Sequence, residues 1–389
     1  MRVVDPRSPE FVRDPYPQYE WMRDEAPVYH VPGSDIWAVT RFADVDACAR
    51  NPAVFSSTGG VGPEWKQQPM MSMHDPPEHT RLRRIVAKQF TPKYVATLAP
   101  HMQETVDALL EGLLVGGEVD FVTRFAEPLV ATVIADVLGI PEERRHDFRR
   151  WSHSTVSVLA AAADAEASEE SERTRAEFVA YLKGVVRERS QAPAATGTDI
   201  IHSLLAARQT EALTPREVTA FCVLLLVAGF ETTVNGLVNV ANVLLTRPDV
   251  WRTVQSDPAL VTSMIEEGLR FDAPVQAFFR NTLAAATVAG TDIPVGQKVM
   301  LLFGSANRDP RAFPSADVYD VRRNPTNHIG FGAGVHHCIG APLARTLYEL
   351  TWRRLFERVR EMSPSGEALR TINPLLRGFR SLPVVARAL

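Results

Sequence analysis

The sequence predicts a mainly α fold with a small β region. Three observations lead to this expectation: well-marked helix starts, one long apolar helical stretch from Leu213 to Leu245, and short β-type runs concentrated near the two ends. We expect the β-rich parts near residues 27–40, 275–302 and 372–389, with helices elsewhere. No Gly/Ser linker or charged block interrupts the 389 residues, so we expect one continuous domain, 1–389.

Local signals predict the elements in chain order. Pro27–Tyr29 and Ile36–Val39 flank a Pro-Gly-Ser turn, which predicts a hairpin. Helix starts are indicated where a capping side chain precedes a proline, at Asp75, Thr91 and Thr214. Glu217 completes a capping box with Thr214.

The stretches before and after the long helix differ from it in composition. Ala160–Thr198 is rich in small and charged residues, which predicts an exposed helix and loop, with a mobile lid as the alternative. Two β-type runs, Val288–Ile293 and Lys298–Leu302, are followed by an irregular proline-rich tract, Asp309–Pro325.

Charge and cysteine content exclude some classes of function. Lys and Arg total 42 against 46 Asp and Glu, a net charge of -4, so the basic excess of a nucleic-acid binder is missing. Three scattered cysteines argue against a disulfide framework. The N-terminal residues lack an apolar leader, and the run Phe221–Phe230 is shorter than the ~18 residues that cross a bilayer. We therefore expect a cytoplasmic protein that acts on a small molecule, without membrane or nucleic-acid partners.

The segment from Phe331 to Gly340 carries the strongest chemical signal. Glycines on both sides of Cys338 let the backbone approach a flat ligand, and the start of a helix favours a thiolate that binds metal. Zinc held by His336, His337 and Cys338 is one alternative, although adjacent residues rarely converge on one tetrahedral ion. A buried structural cysteine is the other, but it would leave the glycine spacing unexplained.

This segment resembles the haem-binding loop of the cytochrome P450 family, Phe-Gly-x-Gly-x-His-x-Cys-x-Gly, and matches it without a departure. The resemblance extends over essentially the whole chain. It implies the cytochrome P450 fold, with haem b (iron protoporphyrin IX) between the long central helix and the helix after the cysteine loop. Cys338 is the implied iron ligand, and Phe331 and Gly332 are implied to contact the haem.

The long helix contains a second segment similar to the family, Ala228–Thr233. The resemblance implies that Ala228 and Gly229 lie against the haem and that Glu231 and Thr232 form an acid–alcohol pair facing dioxygen. A hydroxyl and a carboxylate can deliver protons in a dry site. The alternative is that the Thr232 hydroxyl only bonds back to its own helix.

Further matches imply the remaining parts of the haem site. Glu267 and Arg270 match the Glu-x-x-Arg pair that supports the cysteine loop, and Arg322 is the expected third member of their network. His79 and Arg83 lie four residues apart on one helix face. The residues implied to bind the haem propionates are His79, Arg83, Arg280 and His336.

The resemblance implies a monomeric monooxygenase that hydroxylates or O-dealkylates a small apolar or aromatic substrate, including in natural-product biosynthesis. A ferredoxin with its reductase is the implied electron donor. We expect it to dock near Arg81, Arg84, Lys88 and Arg345. The expected substrate pocket consists of Leu225, Val275, Ala277, Phe278, Phe279 and Phe379.

The substrate and the reaction leave alternatives open. Some strings are similar to bacterial members that oxidise small aromatic acids or aryl ethers, yet the matching loop offers only Ser56, Ser57 and Thr58, with Lys66 as the nearest cation. A haem-thiolate enzyme that uses peroxide, or that catalyses coupling or rearrangement, would share the haem residues. A non-catalytic haem-binding protein is the remaining alternative.

Overall fold

The computed structural model describes residues 4–63, 70–160, 165–191, 200–211 and 213–389. The helices are α1 Pro9–Arg13, α2 Tyr16–Glu25, α3 Phe42–Ala49, α4 Glu78–Val86, α5 Pro92–Leu113, α6 Glu127–Leu138, α7 Arg145–Ala160, α8 Ala165–Gln191, α9 Ile200–Glu211, α10 Pro215–Thr246, α11 Pro248–Ser256, α12 Val261–Phe271, α13 Phe303–Ala306 and α14 Ala341–Arg358. The strands are β1 Val28–His30, β2 Ile36–Val39, β3 Phe55–Ser56, β4 Val119–Asp120, β5 Phe278–Thr282, β6 Ala286–Val288, β7 Thr291–Ile293, β8 Lys298–Leu301, β9 Val359–Pro364, β10 Leu369–Arg370, β11 Phe379–Ser381 and β12 Pro383–Ala388.

The largest sheet has five strands in the order β1-β2-β8-β5-β3. The predicted hairpin is confirmed, since β1 and β2 pair antiparallel with Tyr29 opposite Ala38. β8 then pairs parallel to β2 and antiparallel to β5. This sheet joins the N-terminal strands to β5 and β8, whereas the C-terminal strands β9 and β12 pair in a separate sheet with β4.

The predicted run Val288–Ile293 is two strands rather than one. β6 and β7 form a hairpin whose turn is made by Ala289 and Gly290, both with positive φ. Glycine adopts this conformation without strain, and it reverses the chain there. The irregular tract Asp309–Pro325 contains turns only, as predicted.

Helix α10 is the core helix of the fold. Thr214 and Glu217 form the predicted capping box at its start. By length and composition α10 could cross a membrane, but 56% of its apolar window is buried inside the protein. It packs against α6, α8 and α12, which accounts for its apolar composition.

One predicted helix cap is wrong. Thr91 caps α5 as expected by accepting from the Tyr94 amide. Asp75 does not cap α4; its carboxylate accepts instead from the Ser57 amide at 3.0 Å and the Thr58 hydroxyl at 3.2 Å. The side chain therefore ties an earlier loop to the start of α4.

The mainly α fold class with a small β region is confirmed. Within the stretch predicted as an exposed helix or a lid, α8 is a helix that packs on α7, while residues 161–164 and 192–199 lie outside the described part.

Candidate active site

The cysteine loop lies between the irregular tract and α14. Gly332 and Gly334 have φ values of +72° and +67°, which residues with a side chain rarely adopt. A Cβ on Gly334 would also lie 2.6 Å from the carbonyl oxygen of Ala49 at the end of α3. The Cys338 amide donates to the Phe331 carbonyl at 2.8 Å, closing the loop.

Cys338 is exposed, and most residues of the loop around it are half-buried. Burial raises the pKa of this thiol, while the Gly340 and Ala341 amides and the Arg83 charge lower it. The net shift of the thiol pKa is upward, although the amides at the start of α14 lower it in the direction that the sequence predicts. Binding of a metal cation would be needed to hold the sulfur deprotonated at neutral pH.

The zinc alternative finds no support in the described parts of the chain. No group of three His, Cys, Asp or Glu side chains suited to one ion occurs in these ranges. His337 extends outward beside Cys338 and is exposed, whereas His336 turns inward. Adjacent positions therefore do not converge on one tetrahedral site.

Four cationic or hydrogen-bonding side chains gather beside the loop. His79 of α4 and His336 of the loop lie with ring centroids 4.3 Å apart, and His79 is 1% exposed. Both ring nitrogens of His79 and Nε2 of His336 have no hydrogen-bond partner within the described structure. Arg83 donates to the His337 carbonyl and Arg280 to the Phe279 carbonyl; in the described ranges neither forms a salt bridge.

The electrostatics of this cluster favour an anionic ligand. Burial, followed by the Arg83 charge, lowers the pKa of His79 to about 4. Burial, followed by Arg280, His79 and Arg83, lowers the pKa of His336 to about 3. Burial also lowers the pKa of Arg280 to about 10. Orphaned donors and a buried guanidinium fit two carboxylates, which is the anionic part of haem.

Helix α10 presents one open face. Ala228 is exposed, and Leu225, Gly229 and Thr232 are half-buried, at the spacing of one helix face, while most of the helix is buried. A Cβ on Gly229 would come 3.3 Å from Cδ1 of Ile134 on α6, so glycine lets the two helices approach.

Thr232 donates its hydroxyl to the Ala228 carbonyl at 2.6 Å, as the simpler alternative predicted. The hydroxyl oxygen keeps lone pairs that can accept a further hydrogen bond. Glu231 lies beside it and is half-buried. The back-bond therefore orients Thr232 without using its accepting capacity.

The predicted network behind the loop is present, but with a different third member. Glu267 and Arg270 form a salt bridge at 2.8 Å, with both side chains 0% exposed. Arg323 donates to Glu267 at 3.1 Å, whereas Arg322 is exposed and its backbone amide bonds Asp320. The prediction of Arg322 is wrong, because the turn around Asp320 directs Arg323 inward and leaves Arg322 exposed.

A second acid supports the loop and was missed by sequence reasoning. Glu266 accepts two hydrogen bonds from Arg345, at 2.6 and 2.8 Å, and one from His328 at 2.9 Å. The Arg345 guanidinium lies 4.5 Å from the ring centroid of Phe331. The only sequence signal was a second glutamate immediately before Glu267.

The predicted substrate residues divide between different environments. Leu225, Val275 and Phe278 are half-buried. Ala277 and Phe279 are 0% exposed and belong to the core formed with the N-terminal segment, so their assignment to the pocket is wrong. The alternation of side chains along β5 explains this, because Phe279 faces opposite to Phe278 and Arg280.

Phe379 is also buried, with the Arg370 guanidinium 4.0 Å from its ring centroid. It belongs to the large helical core, whereas Val275 and Phe278 pack on the sheet core. The predicted pocket residues therefore do not share a single core cluster.

A mainly α fold with a glycine-framed cysteine and an adjacent cluster suited to carboxylates defines a haem-thiolate type of protein. The sequence model of the family described as Cytochrome P450 matches residues 60–380. The chain is 36% identical to Cytochrome P450 107B1 of Saccharopolyspora erythraea, over 96% of this chain and 95% of that protein. It is 34% identical to Cytochrome P450 monooxygenase PikC of Streptomyces venezuelae, over 96% and 92% of the two chains.

The fold agrees with the same family. The solved structure of cytochrome P450 CYP109Q5 from Chondromyces apiculatus superimposes with a TM-score of 0.89 at 33% identity, covering 99% of this chain and 98% of that one. The chain belongs to the cytochrome P450 family. It has the P450 fold and is a bacterial-type haem-dependent monooxygenase.

Proposed function

We propose that this protein binds haem b through Cys338, receives electrons from a ferredoxin and inserts one oxygen atom into a small, uncharged apolar or aromatic molecule. The observation that carries the proposal is the cluster of His79, His336, Arg83 and Arg280 beside the cysteine loop. Its unpartnered donors and buried positive charge match a dicarboxylate cofactor bound next to a thiol. We infer that the whole chain, residues 1–389, acts as one cytoplasmic domain and as a monomer.

The bound haem supplies dioxygen activation and oxygen-atom insertion. Cys338 would donate electron density to the iron, and the Gly340 and Ala341 amides would stabilise its sulfur charge. Phe331, Gly332, Ala228 and Gly229 would form close walls of the cofactor space. The buried pair Glu267 and Arg270, with Arg323, would hold the loop in place.

Thr232 and Glu231 would manage protons on the open face of α10. Thr232 already uses its proton in the bond to the Ala228 carbonyl, so its oxygen is directed to accept from a donor in the open space. Glu231 would relay protons to that donor from outside. This division of roles predicts that Thr232→Ala lowers the product formed per electron pair consumed more than it lowers electron uptake.

Two of the four cations expected to attract an acidic electron donor are held in ion pairs. Arg81 pairs with Glu78 and Glu217, and Arg345 pairs with Glu266, so both are committed within the protein. Arg84 and Lys88 are exposed on and after α4. We infer that these two attract the ferredoxin, because complementary charge raises association rates.

The substrate is more consistent with a neutral molecule than with a small aromatic acid. The Ser56 and Thr58 hydroxyls and the Ser57 backbone amide all donate to the carboxylate of Asp75. A second carboxylate there would meet like charge. Leu225, Val275 and Phe278 are the predicted pocket residues with remaining exposed surface, and they are apolar.

Two measurements on the purified holoprotein test the proposal. Reduction by a ferredoxin system should slow several-fold, and lose its salt dependence, in Arg84→Glu with Lys88→Glu, whereas Arg252→Glu on α11 should behave as the parent protein. A ligand screen should find spin-state changes with neutral apolar compounds and none with the matching benzoates. Unchanged reduction kinetics in the double variant, or a response to benzoates alone, would contradict these two inferences.

A further inference from the structure

A tyrosine on α14 contacts α10 next to the acid–alcohol pair. Tyr348 is 3% exposed, and its hydroxyl donates to the carbonyl oxygen of Thr233 at 3.3 Å. Thr233 directly follows Thr232 in α10, and Tyr348 lies on the helix that begins at the cysteine loop. One side chain therefore joins the helix after Cys338 to the helix that carries Glu231 and Thr232.

Gly236 makes this contact possible. A Cβ at this position would lie 2.2 Å from the Tyr348 hydroxyl oxygen and 2.7 Å from Cζ of the same ring. Real contacts of a Cβ are longer than either distance, so any side chain at 236 would displace the ring. Because Tyr348 is enclosed by the core, such a displacement would break the bond to Thr233 or move α14 away from α10.

The hydroxyl is held as a neutral donor close to the cysteine. Burial raises the pKa of Tyr348; a hydrogen bond with Thr233 lowers it, the charges of Cys338 and Glu266 raise it, and the net shift is upward. The anionic form of the Tyr348 hydroxyl is therefore disfavoured. Tyr348 stays protonated and able to donate throughout the neutral pH range.

We propose that Tyr348, seated against Gly236, is a positioning residue that fixes the spacing between α10 and α14 and so the position of Thr232 relative to Cys338. The inference rests on the proposed function, because these two helices enclose a cofactor only if Cys338 binds the haem iron. Tyr348 itself touches neither iron nor substrate in this scheme. It acts through the Thr233 carbonyl and the two helices.

Tyr348→Phe removes the hydroxyl and keeps the ring. Haem transfer from the holoprotein to excess apomyoglobin should become about fivefold faster, the factor that one neutral hydrogen bond represents. The infrared C–O stretch of the reduced, carbon-monoxide-bound protein should shift, because Thr232 and its neighbours change position. Gly236→Ala should change both quantities in the same direction by displacing the ring.

Tyr19→Phe is the matched control. Tyr19 is also buried, and its hydroxyl donates to Oε1 of Gln276 at 3.0 Å in the core cluster of the N-terminal segment. This variant should lose similar thermal stability while keeping the parental haem transfer rate and C–O stretch. The control separates loss of a buried hydrogen bond from loss of helix spacing.

The outcomes distinguish this proposal from the proposed function. Parental haem transfer and C–O stretch in Tyr348→Phe would overturn the positioning role, and so would equal changes in Tyr19→Phe. A red-shifted Soret band in the reduced carbon-monoxide complexes of all variants would show that thiolate ligation stands regardless. Absence of that band in the parent protein would instead overturn the proposed function, and the positioning role with it.

Discussion

Arg323 donates through Nε to Oε1 of Glu267 at 3.1 Å, while the preceding arginine points into solvent. Arg323 also donates to the carbonyls of Ser315 and Val318, at 3.0 and 3.2 Å. Glu267 in turn is bound by Arg270, which reaches the carbonyls of Asn307 and Ala316. A single buried carboxylate thus ties α12 to the irregular tract that leads into the cysteine loop.

Adjacent arginines give a direct test of this network. Arg323→Ala should lower the free energy of unfolding by about 3 kcal/mol, because it leaves part of a buried ionic network unpaired. Arg322→Ala should change it by less than about 0.5 kcal/mol, as expected for an exposed side chain. Urea unfolding of the two variants measures the difference. Equal effects of the two substitutions would refute the assignment.

Two neighbouring arginines of α4 test the proposed haem carboxylate site. Arg83→Met should weaken haem binding by about ten- to a hundredfold, the value of a charge-assisted hydrogen bond. Arg84→Met, on the exposed side of the same helix, should leave haem binding unchanged. Titration of the apoprotein with haem measures both. A normal haem affinity in Arg83→Met would remove this residue from the site.

Glu266 should make the stability of the protein depend on acid pH. Burial raises the pKa of Glu266, but hydrogen bonds and charges from Arg345 and His328 outweigh it and lower the pKa to about 2 from an ordinary value of 4.5. The unfolded chain therefore takes up a proton near pH 4.5, while the native protein does so only near pH 2. The stabilisation is present above this window and is lost as pH falls through it, on the order of 3 kcal/mol.

Urea unfolding at pH 6 and pH 3 tests the contribution of Glu266. In Glu266→Gln the fall in unfolding free energy between the two pH values should be smaller than in the parent protein. Glu349→Gln, which removes a half-exposed partner of Arg353 on α14, serves as the control and should retain the parental fall. The prediction fails if Glu266→Gln retains it too.

Gly334 should be the least replaceable glycine of the cysteine loop. Gly334→Ala combines a left-handed backbone with a contact of 2.6 Å to the Ala49 carbonyl oxygen. Gly33→Ala has a similar φ of +74° and nothing within 4 Å, so it isolates the backbone cost of about 1–2 kcal/mol. We expect Gly334→Ala to be clearly less stable in urea and to bind less haem. Equal stabilities would show that α3 adapts to the added methyl group.

Local signals in the sequence were sufficient for much of the fold. The capping box at Thr214, the hairpin near residues 27–40 and the glycine pattern around Cys338 each depend on residues close in sequence. The burial of Glu267 with Arg270 followed from the resemblance to the family. These features depend on local backbone chemistry or on a motif that can be recognised in the sequence.

Features that depend on tertiary contacts were not accessible in this way. The choice between Arg322 and Arg323 depends on how one turn orients two identical side chains. Side chains alternate along β5, and Phe279 is on the side that faces the N-terminal core. A sequence motif does not show which side of the strand each residue faces. Asp75 binds a distant loop because Ser57 and Thr58 approach it in space. The pairing of Tyr348 with Gly236 joins positions far apart in the chain.

The central claim is that Cys338 binds haem iron as a thiolate. The absorption spectrum of the reduced, carbon-monoxide-bound holoprotein tests it most directly, with Cys338→Ser as the matched variant. We predict a strongly red-shifted Soret band in the parent protein and its loss in Cys338→Ser. A parent protein that is folded and contains haem but lacks the red-shifted band, or a Cys338→Ser variant that keeps it, would contradict the account.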